Sequence, residues 1–509
     1  MARGRRGERI VMLVQNGVVG DSRVQKQAES AADAGWDVVL LGRSRRRGEE
    51  RWALGGAQVR LLPVKATRQP YEVRGGWLRA PLAYSPGPRR NQRERQRRAW
   101  HASIAEIKAR QALEGRDQNA LARAVRKLAL LPRRVAVKIA GKWIRLRIRQ
   151  SDRLRDGRSE MDSVLDRFTN RFWARTMGHR VWRRFDPGLW ELEIAFGKVI
   201  DALEPDLIHA NDFQMLGVGA RAVMRQRARG RNVKLVWDAH EYLPGMKPWV
   251  KNPRWHPAQV AHELEYASYA DAVTTVSESV AELLRERHGL AELPTVVMNV
   301  PDADGCQGEE ENVPDLRASC GLSPEVPLMV YSGAAAPQRG LADMVAALPY
   351  LDGVHCALVV GKPESKFPKE LVAQAQELGV ADRLHVIPYV PHGQVVPFLS
   401  SADIGVIPLH HYMNHEIALI TKFFEYSHAR LPIVVTDVEA MGGMVRATRQ
   451  GEVCRAEDPE DLARAAKAIL GDPKAYRSVY EAGLLDEWTW RAQADRLHSV
   501  YRRLLDGQS

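Results

Sequence analysis

Residues 415–437 read HEIALITKFFEYSHARLPIVVTD, and the reading of this stretch decides the fold. An irregular segment over 415–420 leads to Thr421, whose hydroxyl is expected to cap a helix through Lys422, Phe423, Phe424, Glu425 and Tyr426. Leu431-Pro432 stops that helix. Residues 433–435 are a short apolar run ending at Thr436-Asp437, the pattern of a buried parallel strand. A loop that feeds a helix N-terminus presents N–H groups without intrahelical acceptors and the positive end of the helix dipole, so it suits a phosphate. Lys422 adds a cation in the first turn, and Glu425, one turn on, reaches the position of a sugar hydroxyl pair. A surface Lys–Glu pair on an ordinary helix is the alternative.

Outward from this stretch the alternation of strand and helix continues. Strands are expected over 328–331, 356–360, 384–388 and 404–408, with the loop SGAAAPQRG (332–340) between the first of them and a helix over 341–348. Residues 301–313, with Gly, Asp and Glu, read as a linker. Near the N-terminus, a strand over 9–14 (RIVMLV), a loop with Gly17 and Gly20, a helix over 22–33 and a strand over 36–41 make a β-loop-α-β opening of the doubly wound kind. The loop lacks G-x-G-x-x-G, so a dinucleotide site is not indicated. Its glycines either let the backbone approach a ligand or make a plain tight turn. A third strand covers 59–64. After residue 187 the alternation resumes with a helix over 192–203, strands over 206–210 and 234–237, and a last strand over 296–300. Ligands gather at the carboxyl ends of strands in open α/β sheets. His209-Ala-Asn-Asp212 and Asp238-Ala-His-Glu241 both stand at such ends, and two tetrads after consecutive strands favour a site over two polar loop starts.

A chain of 509 residues is ample for two domains, and 45% apolar with 27% charged residues is a globular composition. No apolar run of about 18 residues suggests a membrane span, and residues 10–14 are too short for a signal-peptide core. Cys306, Cys320, Cys356 and Cys454 show no metal-ligand or disulfide spacing, which suits reduced thiols in a cytoplasmic protein. The net charge of +13 is unevenly placed: residues 89–184 carry 28 Lys and Arg against 9 Asp and Glu. Within them, Val137, Ala140, Ile144 and Ile148 share a helical face, although 143–149 also alternates like a strand, and Pro132 breaks whatever precedes it. Leu128, Leu131, Val135, Ile139, Trp143 and Leu146 interleave with the cations. Such an insert suits an anionic membrane surface or an anionic acceptor, with a merely solvated insertion as the alternative. No recognition motif or aromatic stacking platform supports nucleic acid.

The run K-F-F-E-Y-S-x-A-R-L-P-I-V-V-T-D resembles the nucleotide-sugar signature of retaining GT-B glycosyltransferases of family 4. Further motifs of that family are similar in order and spacing: D-S-R-V-Q-K-Q-A over 21–28, D-L-I-H-A-N-D-F over 206–213, K-L-V-W-D-A-H-E-Y-L-P over 234–244, A-D-A-V-T-T-V-S-E over 270–278, the Gly333 loop, and W-T-W-R-A-Q-A-D-R-L-H-S-V-Y-R-R-L-L over 488–505. The resemblance covers nearly the whole chain except about residues 65–187. It implies an α/β fold of the GT-B type, with two Rossmann-like domains facing a cleft. Residues 1–300 would form the acceptor side, with a basic, largely helical insert over about 65–187. Residues 301–485 would bind the nucleotide sugar, and 486–509 would form a helix crossing back.

The resemblance assigns the donor diphosphate to Arg339 and Lys422, the nucleotide ribose to Glu425, and the transferred sugar to His240. It places Gly17, Gly333, Leu419 and Ile420 on the donor side of the cleft. Asp21, Arg23, Asp212, Asp238 and Glu241 fall on the acceptor side. Ser277 is read as a structural helix cap. Three departures stand out. Ile420 occupies the place of a family proline, Ala334 that of an arginine, and Ile417 that of the first carboxylate of the E-x7-E pair. Glu416 lies one residue off, in the expected loop, where a slip restores it as a member of the catalytic set with His240, Arg339 and Lys422. The implied reaction moves a sugar from a UDP- or GDP-type donor to a hydroxyl of a glycan, a lipid-linked or a small-molecule acceptor. It proceeds with retention and without metal or other cofactor, in the cytoplasm or at the inner face of the membrane, in cell-envelope or exopolysaccharide synthesis. Ala334 and Ile417 keep a catalytically inactive GT-B binding subunit open, and the insert keeps a membrane or nucleic-acid adaptor open.

Overall fold

Short apolar runs that end in polar tetrads become parallel strands whose side chains are almost wholly excluded from water, as with Ile10, Val11, Met12 and Leu13 at 0% exposure. The computed structural model describes residues 7–64, 80–84, 90, 92–94, 96, 97, 99, 100, 103, 104, 107, 120–160, 164–248, 252–302 and 313–506. Its strands are β1 (Arg9–Leu13), β2 (Asp37–Ser44), β3 (Glu50–Leu54), β4 (Ala57–Pro63), β5 (Leu207–Asn211), β6 (Lys234–Ala239), β7 (Ala272–Thr275) and β8 (Thr295–Val296). They continue as β9 (Leu328–Ser332), β10 (His355–Val360), β11 (Leu384–Pro388), β12 (Ile404–Ile407), β13 (Ile433–Thr436) and β14 (Gly451–Cys454).

Two sheets result, in the orders β3-β4-β2-β1-β5-β6-β7-β8 and β11-β10-β9-β12-β13-β14. Every pairing is parallel except β3 with β4. In each sheet the first strand lies between its second and fourth parallel strands, so the order reverses there and opens a crevice at the carboxyl ends. This is the doubly wound architecture twice over, as the sequence suggested.

Several expected boundaries need correction. The strand expected over 296–300 is only Thr295–Val296; beyond it the backbone leaves the sheet, and Asn299 and Val300 accept bonds from Lys26. The antiparallel β3 was not anticipated. Its run ERWAL is short and opens on two charged residues, none of its five residues is buried, and it is held by antiparallel edge pairing with β4. Residues 415–420 are not wholly irregular: Met413–Ile417 is a helical turn, which places Glu416 on a helix rather than in a loop. Thr421 is the first residue of the helix Thr421–His428 and not its cap; Ile420 holds the cap position, and the Thr421 hydroxyl instead accepts from Asn299 Nδ2 at 2.9 Å. Most of the expected linker, residues 303–312, lies outside the described residues.

The chain divides into two compact units. One comprises Met1–Ala66, His179–Lys247 and Ala258–Ser509, and contains both sheets. Its apolar core is continuous from Ile10 and Met12 through Val330 and Phe423 to Leu497 and Tyr501. The closing helix Trp490–Asp506 packs back on the first sheet's half: Trp36 meets the rings of His498 and Tyr501 edge-on at 5.0 and 5.4 Å, and Gln493 Oε1 accepts from the Met298 amide at 2.9 Å. The other unit, Thr67–Gly178 with Pro248–Pro257, contains the helices Ala120–Ala129, Leu131–Glu160 and Val164–Met177. Residues 143–149 are helical, so their strand-like alternation is not used. Among the described residues no helix is long and apolar enough to cross a membrane.

Candidate active site

The helix Ser22–Asp33 places Arg23, Lys26 and Gln27 on one face by their i, i+3, i+4 spacing, and all three are buried. Arg23 forks onto Asp238 at the end of β6, with Nε and Nη2 each 2.8 Å from a carboxylate oxygen, and Nη1 donates to the Val297 carbonyl at 2.7 Å. Asp238 also accepts from Gln27 Nε2 and Thr274 Oγ1 at 2.8 Å, and its Oδ2 lies 3.1 Å from His240 Nε2. Burial alone would raise this carboxyl; the Arg23 and His240 charges win and hold it well below the usual carboxylate range. For His240, burial favours the neutral ring, but the Asp238 carboxylate raises its pKa overall. Arg23 and Asp238 therefore satisfy each other, and what they offer the cleft is a fixed His240.

Beside His240, Asp212 begins the helix Asp212–Arg227 with a φ of +64°, and burial raises its carboxyl. Glu241 is solvent-accessible yet enclosed by the cleft walls; that partial desolvation, reinforced by Asp212, pushes it up to about 7. Asp21 is occupied as a cap: Oδ1 accepts from the Val24 amide and Oδ2 from Asn16 Nδ2. Gly17 lies in the loop after β1, where a Cβ would make ordinary contact with the Arg43 carbonyl at 3.8 Å, so the position does not require glycine for space.

The second sheet brings a different set together. After β9, Gly333 has a φ of +152°, and a Cβ there would meet Lys422 Cε at 1.9 Å. The lysine side chain thus lies directly over the glycine loop, with Nζ 5.7 Å from the Tyr331 ring centroid. Burial, against the attraction of Glu425 and together with Arg339, lowers the Lys422 ammonium to about 8. Arg339 closes the same loop and lies within charge range of Glu241 across the cleft. Neither Arg339 nor Lys422 forms an ion pair among the described residues. Glu425 is 8% exposed and burial raises its carboxyl, with Lys422 and Lys26 opposing. Leu419 and Ile420 follow the Met413–Ile417 turn and lead into the helix start at Thr421, where the Phe423 amide already donates to the Ile420 carbonyl at 3.0 Å and the Thr421 and Lys422 amides come before the first such bond.

Glu416 stands apart from this group. Its Oε2 accepts from the Glu439 amide at 2.9 Å, the first turn of Glu439–Thr448, and its Oε1 is 2.6 Å from His411 Nδ1. Ile417 is buried, and its carbonyl accepts from Ser277 Oγ at 2.7 Å. Ser277 also caps the helix Glu278–His288, as expected of it.

Three features escaped the sequence reading. Lys26 donates to Asn299 Oδ1 at 3.3 Å and to the Val300 carbonyl, and lies 4.7 Å over Trp490; burial, aided by Arg23, lowers it to about 7. With Asn299 donating to Thr421, this ties the first sheet's half to the donor-side helix. The signal was three polar residues on the inward face of an amphipathic helix. His415 faces the cleft within charge range of Arg339, and its Nδ1 is held 2.8 Å from the His410 carbonyl. Finally, the run Arg43-Ser-Arg-Arg-Arg47 lines a groove of about 740 Å³ with Asn16, Gly17 and Pro63 at the carboxyl ends of β1, β2 and β4. Among the described residues no group of three or more His, Cys, Asp or Glu is placed to hold a metal ion.

Comparison with known proteins agrees with the fold. A family model described as Glycosyltransferase Family 4 matches residues 156–304, and one described as Glycosyl transferases group 1 matches residues 312–485. A D-inositol 3-phosphate glycosyltransferase of Catenulispora acidiphila is 26% identical over 325 residues, 59% of this chain and 73% of the relative. The structure of sucrose-phosphate synthase from Thermosynechococcus elongatus superposes with a TM-score of 0.62 at 16% identity, covering 98% of this chain and 100% of that one. That of HepE from Anabaena, in complex with UDP and glucose, does so with a TM-score of 0.56 at 14% identity, covering 97% and 100%.

Proposed function

Because the chain is a GT-B glycosyltransferase of the family 4 type, we propose that its cleft transfers a sugar from a UDP- or GDP-type nucleotide sugar to an acceptor hydroxyl, with retention and without a metal ion. The observation that carries this reading is the pair Arg339 and Lys422, two cations that form no ion pair among the described residues, Lys422 lying over the glycine loop from a helix start and Arg339 closing that loop. Breaking the bond between sugar C1 and the donor phosphate oxygen leaves positive charge on the sugar and an extra negative charge on the diphosphate. Arg339, Lys422 and the Thr421 and Lys422 amides supply the neutralising field where that charge develops. The acceptor oxygen forms the new bond to C1, and its proton passes to the departing phosphate oxygen, so no protein base is needed for that step. Glu425 takes the ribose hydroxyls, and His240, fixed by Asp238, lies against the transferred sugar.

The acceptor enters from the first sheet's side, where Asp212 and Glu241 stand. The departures at Ile417 and Ala334 keep a binding subunit without turnover as the second reading. A thermal-shift screen of nucleotide sugars, followed by mass spectrometry of products, decides between them: stabilisation with transfer or donor hydrolysis supports the enzyme, and stabilisation without turnover supports the binder. Within the enzyme reading, Glu425→Ala is expected to weaken donor binding by about 1.5–3 kcal/mol in titration calorimetry, since a buried hydroxyl pair loses a charged acceptor. Unchanged affinity removes Glu425 from the ribose site.

A further inference from the structure

We propose that the unit containing the helices Leu131–Glu160 and Val164–Met177 seats this protein on an anionic lipid surface, with one face of Leu131–Glu160 lying in the headgroup boundary. The proposal is independent of which sugar is transferred. On that helix Leu131, Val135, Ile139, Trp143 and Leu146 recur at intervals of four, four, four and three residues, which puts them on one stripe. All five are exposed, by 43 to 64% of their surface. The opposite face is the covered one: Ile144 is buried, Arg147 donates to the Leu82 carbonyl and stacks at 4.1 Å on Tyr84, and Gln150 and Ser151 accept from the Leu82 and Tyr84 amides. The segment 80–84 thus occupies the side on which Val137, Ala140, Ile144 and Ile148 lie, and the apolar stripe faces away from it. A second helix repeats the device with Val164, Phe168 and Phe172, exposed by 77, 68 and 49%.

Charge identifies the occupant. Between Leu121 and Gln150 there are ten Lys and Arg and no Asp or Glu. Lys138, Lys142, Arg145 and Arg149 are all exposed and run along one flank of the stripe. A hollow on this face is lined by Ile139, Lys142, Trp143, Arg145, Leu146 and Arg149, apolar floor beside cationic rim. A second copy of the chain would bring ten like charges against ten. A nucleic acid would satisfy the cations but leave the leucine, isoleucine and tryptophan surfaces in water. An anionic bilayer satisfies both, since apolar side chains enter the acyl boundary while long basic side chains remain with the headgroup phosphates. Each cation near such a surface multiplies partition by roughly fivefold, screened by salt within about 8–10 Å.

The test is flotation of the full-length chain with vesicles of phosphatidylcholine alone and with phosphatidylglycerol added. Binding is expected to the mixed vesicles, little to the neutral ones, with release as salt is raised. Ile139→Glu with Trp143→Glu, and separately Lys142→Glu with Arg145→Glu, should each lower partition at least tenfold. All four positions are exposed, so the circular dichroism and melting temperature should match those of the parent. Equal indifference to both vesicle types overturns the proposal, as does vesicle binding that survives loss of the apolar pair. Binding to duplex RNA that falls only in the charge variant, without vesicle binding, assigns the face to nucleic acid instead. A dimer that dissociates in the apolar variant assigns it to a second copy.

Discussion

The two sheets share a strand order yet treat their cations in opposite ways. At the carboxyl ends of the first, Arg23 is committed to Asp238 in a buried fork, and the network of Gln27, Thr274 and His240 completes the carboxylate's hydrogen bonding. At the carboxyl ends of the second, Lys422 lies over Gly333 and Arg339 closes the same loop, neither in an ion pair among the described residues, and Lys422 has lost part of its hold on a proton. A paired cation is architecture, because its charge is already neutralised. An unpaired cation in a desolvated place is held ready for a ligand's charge. The same fold thus yields a scaffolded wall on one side and, on the function proposed above, an anion receptor on the other.

The largest way to break this contrast is at Asp238. Asp238→Ala leaves Arg23, 3% exposed, without its counter-charge, and loss of one partner of a buried pair costs about 3–5 kcal/mol. Chemical denaturation should show that loss, and a change under about 1 kcal/mol would mean that Arg23 is not neutralised by this pair. Lys422→Ala should behave in the opposite manner. Stability should move by less than about 1 kcal/mol, since no ion pair is lost, while donor binding and turnover fall by roughly 10- to 100-fold from loss of a charge-assisted contact. A variant with normal saturated rates removes Lys422 from the leaving-group site.

How far these roles were legible follows from what kind of signal each one leaves. The parallel strands were plain, because buried runs such as Ile10–Leu13 leave no other arrangement that hides them. Lys422 and Glu425 stood out at a helix start beside a strand, with a surface pair as the alternative, and it was the resemblance to family motifs that singled out Gly333 and Arg339; the structure lays Lys422 over Gly333. The partner of Arg23 was not: nothing local tells that residue 23 reaches residue 238, since that contact is made by the sheet order. Lys26 was overlooked for the same reason, its acceptors lying some 270 positions away at Asn299 and Val300. Thr421 was misjudged because a hydroxyl before a helix reads as a cap, whereas Asn299 from the other half claims it. Long-range hydrogen bonds leave no periodicity in a sequence.

A smaller effect sharpens the receptor side. With the Lys422 ammonium lowered to about 8, the cation that meets the diphosphate is fully present below that pH and lost above it. Donor affinity should therefore be nearly level up to about pH 7 and fall up to tenfold per unit once pH exceeds about 8, with a proton taken up on binding in that range. Glu241, at about 7, titrates nearby, so the assignment needs Lys422→Ala, which should flatten the dependence above pH 8 and leave any Glu241 contribution. Titration calorimetry in buffers of different ionisation heat reads the proton directly. Equal proton uptake in parent and variant would transfer the titration to another group.

The smallest expected effect concerns Glu416, the residue nearest in sequence to the missing carboxylate at position 417. A slip of the chain would make it catalytic, but the turn Met413–Ile417 gives it two other partners. One is the Glu439 amide at the start of Glu439–Thr448, and the other is His411, which also reaches Asp437 at 3.0 Å. The carboxylate satisfies an orphan amide of a helix start and raises the His411 pKa through their hydrogen bond, so its role is to join the turn to the end of β13. Glu416→Gln keeps an oxygen acceptor for the amide and removes the charge. Stability should fall by about 0.3–1 kcal/mol, the range for a charge at a helix start. Any part of the loss that comes through His411 should appear below its raised pKa and fade as pH rises through it, while the helix-start part persists. Donor affinity and saturated turnover should stay within about twofold of the parent, a change of under about 0.5 kcal/mol. Turnover that collapses while nucleotide binding survives would show that Glu416 leaves His411 and Glu439 when the donor binds, and would restore the carboxylate to the sugar.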